Sequence, residues 1–142
     1  MGKIIPAFVM VLAATGAQAR SVWDGAYTED QAARGATAYQ QNCARCHGAT
    51  LAGTFEIPPL TGRFVPYWSG STVGALFDYI STAMPLGRPG SLSPATNADI
   101  VAFILKSNNF PAGAKEMSAD GLKAIRFDAV KPGKARAKKS AQ

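Results

Sequence analysis

Cys43-Ala44-Arg45-Cys46-His47 is the stretch on which the reading of this chain turns. Two thiols three positions apart, with an imidazole directly after the second, form the pattern of covalent haem attachment. The thiols would add across two vinyl groups on one porphyrin edge, and the imidazole would then lie beneath the iron. Other uses of the same residues fit less well. A disulfide between Cys43 and Cys46 would close a very short loop and remove little unfolded-state entropy. Structural zinc takes four nitrogen or sulfur ligands, whereas the whole chain has 2 cysteines and 1 histidine. A thioredoxin-like dithiol would need α/β surroundings, and no such pattern flanks the motif.

Because His47 is the sole histidine, a second imidazole ligand within the chain is excluded. The other axial position falls to methionine, lysine, another side chain, or nothing. Once Met1 and Met10 leave with the leader described below, Met84 and Met117 remain. Met84 stands between a predicted helix end and Pro85, in a stretch rich in glycine and proline that can hold a thioether against a flat cofactor. Met117 reads as core filling, the ordinary use of methionine. Met84 is therefore the expected second ligand, since His/Met ligation is an established arrangement for haem proteins of this kind.

Working outward from the motif, the expected elements are helical. Thr28 and Gln31 have capping-box spacing ahead of a helix from Glu29 to about Asn42. Gly35 inside that helix costs about 1 kcal/mol against alanine. The spacing predicts that another backbone crosses there, with Tyr39 packing on the same face. A second helix begins after Ser71 or Thr72, with Val73, Leu76, Phe77 and Ile80 at core spacing, and stops at Ala83 because Pro85 disfavours helix at Met84. A third opens with Ser93 as cap and Pro94 as first residue, and carries Ile100, Phe103 and Ile104. Between the first two lies a long loop-like region, Gly48 to Gly70, of the kind that wraps a large cofactor. The expected fold is all-α: about three main helices and long loops around one covalently attached haem, with no strands.

The ends of the chain read differently from its body. Lys3, the apolar run Ile4 to Ala14 and the small-x-small Ala17-Gln18-Ala19 form a cleavable export signal over 1–19, placing the protein in the periplasm. The run is shorter than the roughly 20 residues of a membrane span, so no integral span is expected after cleavage. The domain then occupies 20–130. Of the formal +6 charge, Lys131, Lys134, Arg136, Lys138 and Lys139 supply +5 within the last twelve residues. The segment 131–142 reads as a basic, disordered tail: a solubility element, or a docking arm for an acidic partner. Nucleic acid is excluded as a partner by export and by the absence of interleaved aromatics.

With these residues in place, the chain resembles the class I mono-haem cytochromes c. Gly35, Tyr39 and Cys43 look like that family's N-terminal helix, and Phe103 like the aromatic of the C-terminal helix crossing it. Pro58-Pro59-Leu60 is similar to the family's Pro-x-Leu, which implies that the Pro58 carbonyl accepts a hydrogen bond from His47. Trp68, with Met84-Pro85 through Leu92, resembles cytochromes associated with periplasmic quinoprotein dehydrogenases. The resemblance spans Thr28 to Gly113. Trp68 and Arg63 are candidate hydrogen-bond donors to a haem propionate.

The function expected is electron transfer by Fe(III)/Fe(II) cycling in a non-enzymatic, monomeric carrier. Its partners are a transient redox donor, expected to be a quinoprotein dehydrogenase, and an oxidase or another cytochrome as acceptor. Two other readings stay open: a gas sensor or haem enzyme with an open iron site, and a cytochrome subunit permanently bound to a dehydrogenase.

Overall fold

Thr28 starts the first long helix, α1 (Glu29–Asn42), its hydroxyl oxygen accepting the Gln31 backbone N–H at 3.1 Å. The reciprocal half of the expected capping box is not made. Gln31 turns its amide inward, donating to the Met117 carbonyl at 2.9 Å and accepting from the Met117 N–H at 2.8 Å. A buried backbone pair near the other end of the chain satisfies both ends of the amide, which a solvent-facing cap would not. Residues 20–133 are described here by a computed structural model; the expected export signal and tail positions 134–142 lie outside the described residues.

Two more helices complete the frame. In α4 (Val73–Ala83), Thr72 caps by accepting from the Ala75 N–H at 3.1 Å. In α5 (Pro94–Ser107), Ser93 caps by accepting from the Thr96 N–H at 3.1 Å, with Pro94 first. All three N-terminal caps stand where the sequence puts them. Helix α5 crosses α1 at Gly35, where a Cβ would sit 1.8 Å from the Asp99 carbonyl oxygen. Only hydrogen fits in that gap. Beside it the Tyr39 and Phe103 rings pack at 5.2 Å. Two short helices lie between α1 and α4: α2 (Ala44–His47) carries the thiol–imidazole motif, and α3 (Phe64–Trp68) lies in the region expected to be loop. Pro66 falls in the first turn of α3, where a missing N–H costs nothing.

The all-α architecture holds with one correction. Strand β1 (Arg20–Ser21) pairs in parallel with β2 (Ile125–Arg126), Arg20 opposite Ile125 and Ser21 opposite Arg126. Two-residue strands carry no readable alternation, and their partners are far apart in sequence. The segment after α5 is also more than a tail to the domain. Met117, Leu122, Ile125 and Phe127 are all buried, the last fully. Its 3-10 turn Ala119–Ala124 lies against α4, where a Cβ on Gly74 would come within 2.9 Å of Lys123. No helix among the described residues is long and apolar enough to cross a membrane.

Candidate functional site

The motif sits on a single turn directly after α1. Cys43 closes α1 with its N–H to the Tyr39 carbonyl at 2.8 Å, and its own carbonyl accepts the His47 N–H at 3.0 Å. Cys43, Cys46 and His47 are thereby i, i+3 and i+4, one face of one turn. Both thiols are free; Cys43 is half-buried and Cys46 exposed. Burial, and then the neighbouring Cys46, push the Cys43 thiol up to about 11. The Tyr39 phenol beneath the turn donates to the Gly48 carbonyl at 2.7 Å. Burial, and then Cys43, raise its pKa to about 12, so it stays a neutral donor.

The loop after the motif folds back under it. Gly53 donates its N–H to the His47 carbonyl at 2.8 Å, and the Leu60 N–H reaches the Leu51 carbonyl at 2.8 Å. Asn108, at the end of α5, donates its side-chain amide to the Leu60 carbonyl at 2.8 Å. Held at these points, the loop puts the Pro58 carbonyl oxygen 3.0 Å from His47 Nδ1. A carbonyl can only accept, so Nδ1 carries the hydrogen and Nε2 presents its lone pair.

Met84 comes from the end of α4. Its N–H closes α4 on the Ile80 carbonyl at 3.0 Å and its backbone then turns extended, followed by a cis bond to Pro85. Arg88, four residues on, donates to the Asn42 side-chain oxygen at 2.6 Å. That bond ties the methionine segment to the end of α1 beside Cys43.

Between these walls lies a cavity of about 1030 Å³. Its volume is at the top of the roughly 300–1,000 Å³ usual for small-molecule sites. Cys43, Cys46, His47, Pro58, Arg63, Trp68 and Met84, the residues singled out from sequence, all line it. Leu76, Ile80, Ile100 and Ile104 supply aliphatic floor, as their core spacing on α4 and α5 allows. Met117 does not line it and is buried elsewhere in the core. Phe64, Tyr67 and Tyr79 are lining residues that sequence reading passed over. The available signal was the four-residue spacing of Phe64 and Trp68, hidden by reading α3 as loop. Neither the Trp68 indole N–H nor the Arg63 guanidinium has a hydrogen-bond partner among the described residues.

A donor set of two thiols, one oriented imidazole and one thioether, opening onto a wide apolar space, fits a large planar porphyrin. It does not fit a bare ion. Among the described residues no group of three or more His, Cys, Asp or Glu gathers to hold one.

Comparison with known proteins bears on the same region. Residues 30–104 match the family described as "Cytochrome C oxidase, cbb3-type, subunit III". Thiosulfate dehydrogenase of Stutzerimonas stutzeri (strain A1501) is 32% identical over 79 residues, covering 51% of this chain and 26% of the relative. The chain thus spans about a quarter of the length of that curated relative. The crystal structure of the sulfane dehydrogenase SoxCD from Paracoccus pantotrophus superposes with a TM-score of 0.53 at 23% identity, over 84% of this chain and 70% of that one. At that identity the likeness concerns the fold alone.

Proposed function

The chain belongs to the cytochrome c family, in its cbb3-type subunit III branch, and from that premise we propose an exported carrier of single electrons with one haem c joined through thioethers to Cys43 and Cys46. One-electron Fe(III)/Fe(II) exchange is the chemistry that such a haem supplies when bound. His47 would offer Nε2, oriented by Pro58, and Met84 its sulfur from the end of α4. Trp68 and Arg63, whose side chains donate no hydrogen bond among the described residues, would donate to propionate. The apolar floor of Leu76, Ile80, Ile100 and Ile104 excludes water, and with methionine ligation this favours the reduced state and a relatively high potential.

The observation that carries the reading is the convergence of both thiols, the Pro58-oriented imidazole and Met84 on one large apolar cavity. Absorption spectra of the protein exported from a host with haem-maturation machinery test it, oxidised and reduced, alongside a denaturing gel stained for covalent haem. A low-spin c-type spectrum on the intact polypeptide is expected. A colourless product overturns the proposal, and a high-spin ferric spectrum at neutral pH turns it toward an open-site sensor or enzyme.

The donor in this reading is an exported dehydrogenase. The names of the relatives favour one acting on reduced sulfur compounds, while the Met84-Pro85 to Leu92 segment favours a quinoprotein. Reduction rates of the purified carrier by each class of enzyme separate the two. The export signal 1–19, periplasmic location and basic tail 131–142 belong to the same proposal. Deleting 131–142 should slow reduction by an acidic partner at low salt and leave the spectrum unchanged.

A further inference from the structure

The family match ends at residue 104, yet the chain goes on to make a strap that reaches the wall of the cavity. The strap is fixed at several points. At its start, Met117 exchanges two hydrogen bonds with the buried Gln31 amide on α1. In its middle, Lys123 lies in backbone contact with Gly74 of α4. At its end, β2 pairs with β1, and the Trp23 indole N–H donates to the Asp128 carbonyl at 2.8 Å.

The end of the strap is the part that matters for the site. Phe127 donates its N–H to the Ser71 carbonyl at 2.9 Å, and its carbonyl accepts the Gly70 N–H at 3.1 Å. Those two residues form the link between α3 and α4. Ser71 in turn holds the Trp68 carbonyl with both its N–H, at 3.1 Å, and its hydroxyl, at 2.7 Å. The side chain acts on the same wall. The fully buried Phe127 ring meets Phe64 edge-on at 6.1 Å, and Phe64 packs on Trp68 at 6.3 Å. Phe64 and Trp68 line the cavity; Phe127 does not.

We infer that Phe127 is a positioning residue for the cofactor: it seats Phe64 and Trp68 against the haem and keeps water from that wall. The inference rests on the reading of the cavity as a haem site. Its physical basis is that a metal centre's potential depends on the hydrophobic shell as well as on its ligands. Loosening the wall admits water, which stabilises the more highly charged ferric form.

The test uses haem-loaded protein. Phe127→Ala should lower the midpoint potential and change the Soret circular dichroism. Phe127→Leu, which keeps apolar volume and folds more readily, should give a smaller shift in the same direction. Gln31→Ala cuts the strap at its other end, where no cavity-lining ring is touched. It should lower the melting temperature and leave the potential alone. If the Phe127 variants lose only stability, or if Gln31→Ala shifts the potential in proportion to lost stability, the inference fails while the haem site stands. If the unaltered protein carries no covalent haem, the functional reading itself has failed.

Discussion

His47 Nδ1 and the carbonyl oxygen of Pro58 lie 3.0 Å apart, joined across a loop that turns tightly at Gly53. Gly53 has φ +66°, and a Cβ there would stand 2.3 Å from the Ile57 carbonyl oxygen. Gly53→Ala should therefore cost more than about 1 kcal/mol, and the displaced loop should take the Pro58 carbonyl from the imidazole. Chemical denaturation gives the first effect. A rise in midpoint potential gives the second, since an imidazole that has lost this hydrogen bond is a weaker donor and stabilises the ferric state less; an unchanged potential with lowered stability would show that the bond survives and separate loop packing from ligand tuning.

Met84 is the lining thioether, brought in at the end of α4. Met84→Ala should leave haem attached through the two cysteines and turn the ferric spectrum high-spin. It should also lower the potential by a substantial part of the roughly 0.8 V range that axial ligands command. A low-spin spectrum identical to that of the unaltered protein would assign the sixth ligand elsewhere.

Gly35→Ala tests the helix crossing rather than the site. A methyl group 1.8 Å from the Asp99 carbonyl oxygen cannot be accommodated by rotating a side chain. Helices α1 and α5 must separate, at a cost of about 3 kcal/mol or more. Urea unfolding of the haem-loaded protein measures it, and a loss below about 1 kcal/mol would mean that the crossing adapts.

Arg34 joins α1, α5 and the start of the strap, donating to both Asp99 oxygens at 3.1 Å and to Glu116 at 3.0 Å. The Arg34 guanidinium holds the Glu116 carboxyl below its ordinary value. A carboxyl depressed in the folded state stabilises the fold above its unfolded value and loses that contribution as pH falls through the folded one. Arg34→Gln should thus lower the melting temperature at pH 7, with the difference closing in acid and shrinking in high salt. A gap independent of pH would exclude the ion pair as its source.

Local signals in the sequence were sufficient for the frame. Thr28, Thr72 and Ser93 each offer a hydroxyl ahead of an apolar period, and each caps a helix. Gly35 and Phe103 announce a close crossing because a mid-helix glycine needs a reason. The residues brought together at the cavity were legible for the same cause: thiol, imidazole and thioether have few other uses at those positions. What escaped depends on distant partners. Gln31 prefers Met117, 86 residues away, to its local cap. Phe127 acquires its place from Phe64, and Ile125 from Arg20; nothing within a few residues of any of them encodes the choice. Tyr67 joined the lining through α3, whose proline made it look irregular, and Tyr79 joined it from α4, its ring 5.9 Å from that of Trp68.

The pairing of Arg20 with Ile125 has a consequence for how the molecule is made. A polypeptide delivered from its amino end presents β1 first, and that strand has nothing to bind until residue 125 follows. A fragment ending where the family match ends would keep every candidate haem ligand, yet leave β1 unzipped and the Phe64 ring without its Phe127 neighbour. Closure of the domain is thus a property of nearly the whole described chain, and expression boundaries drawn from homology alone would cut through it.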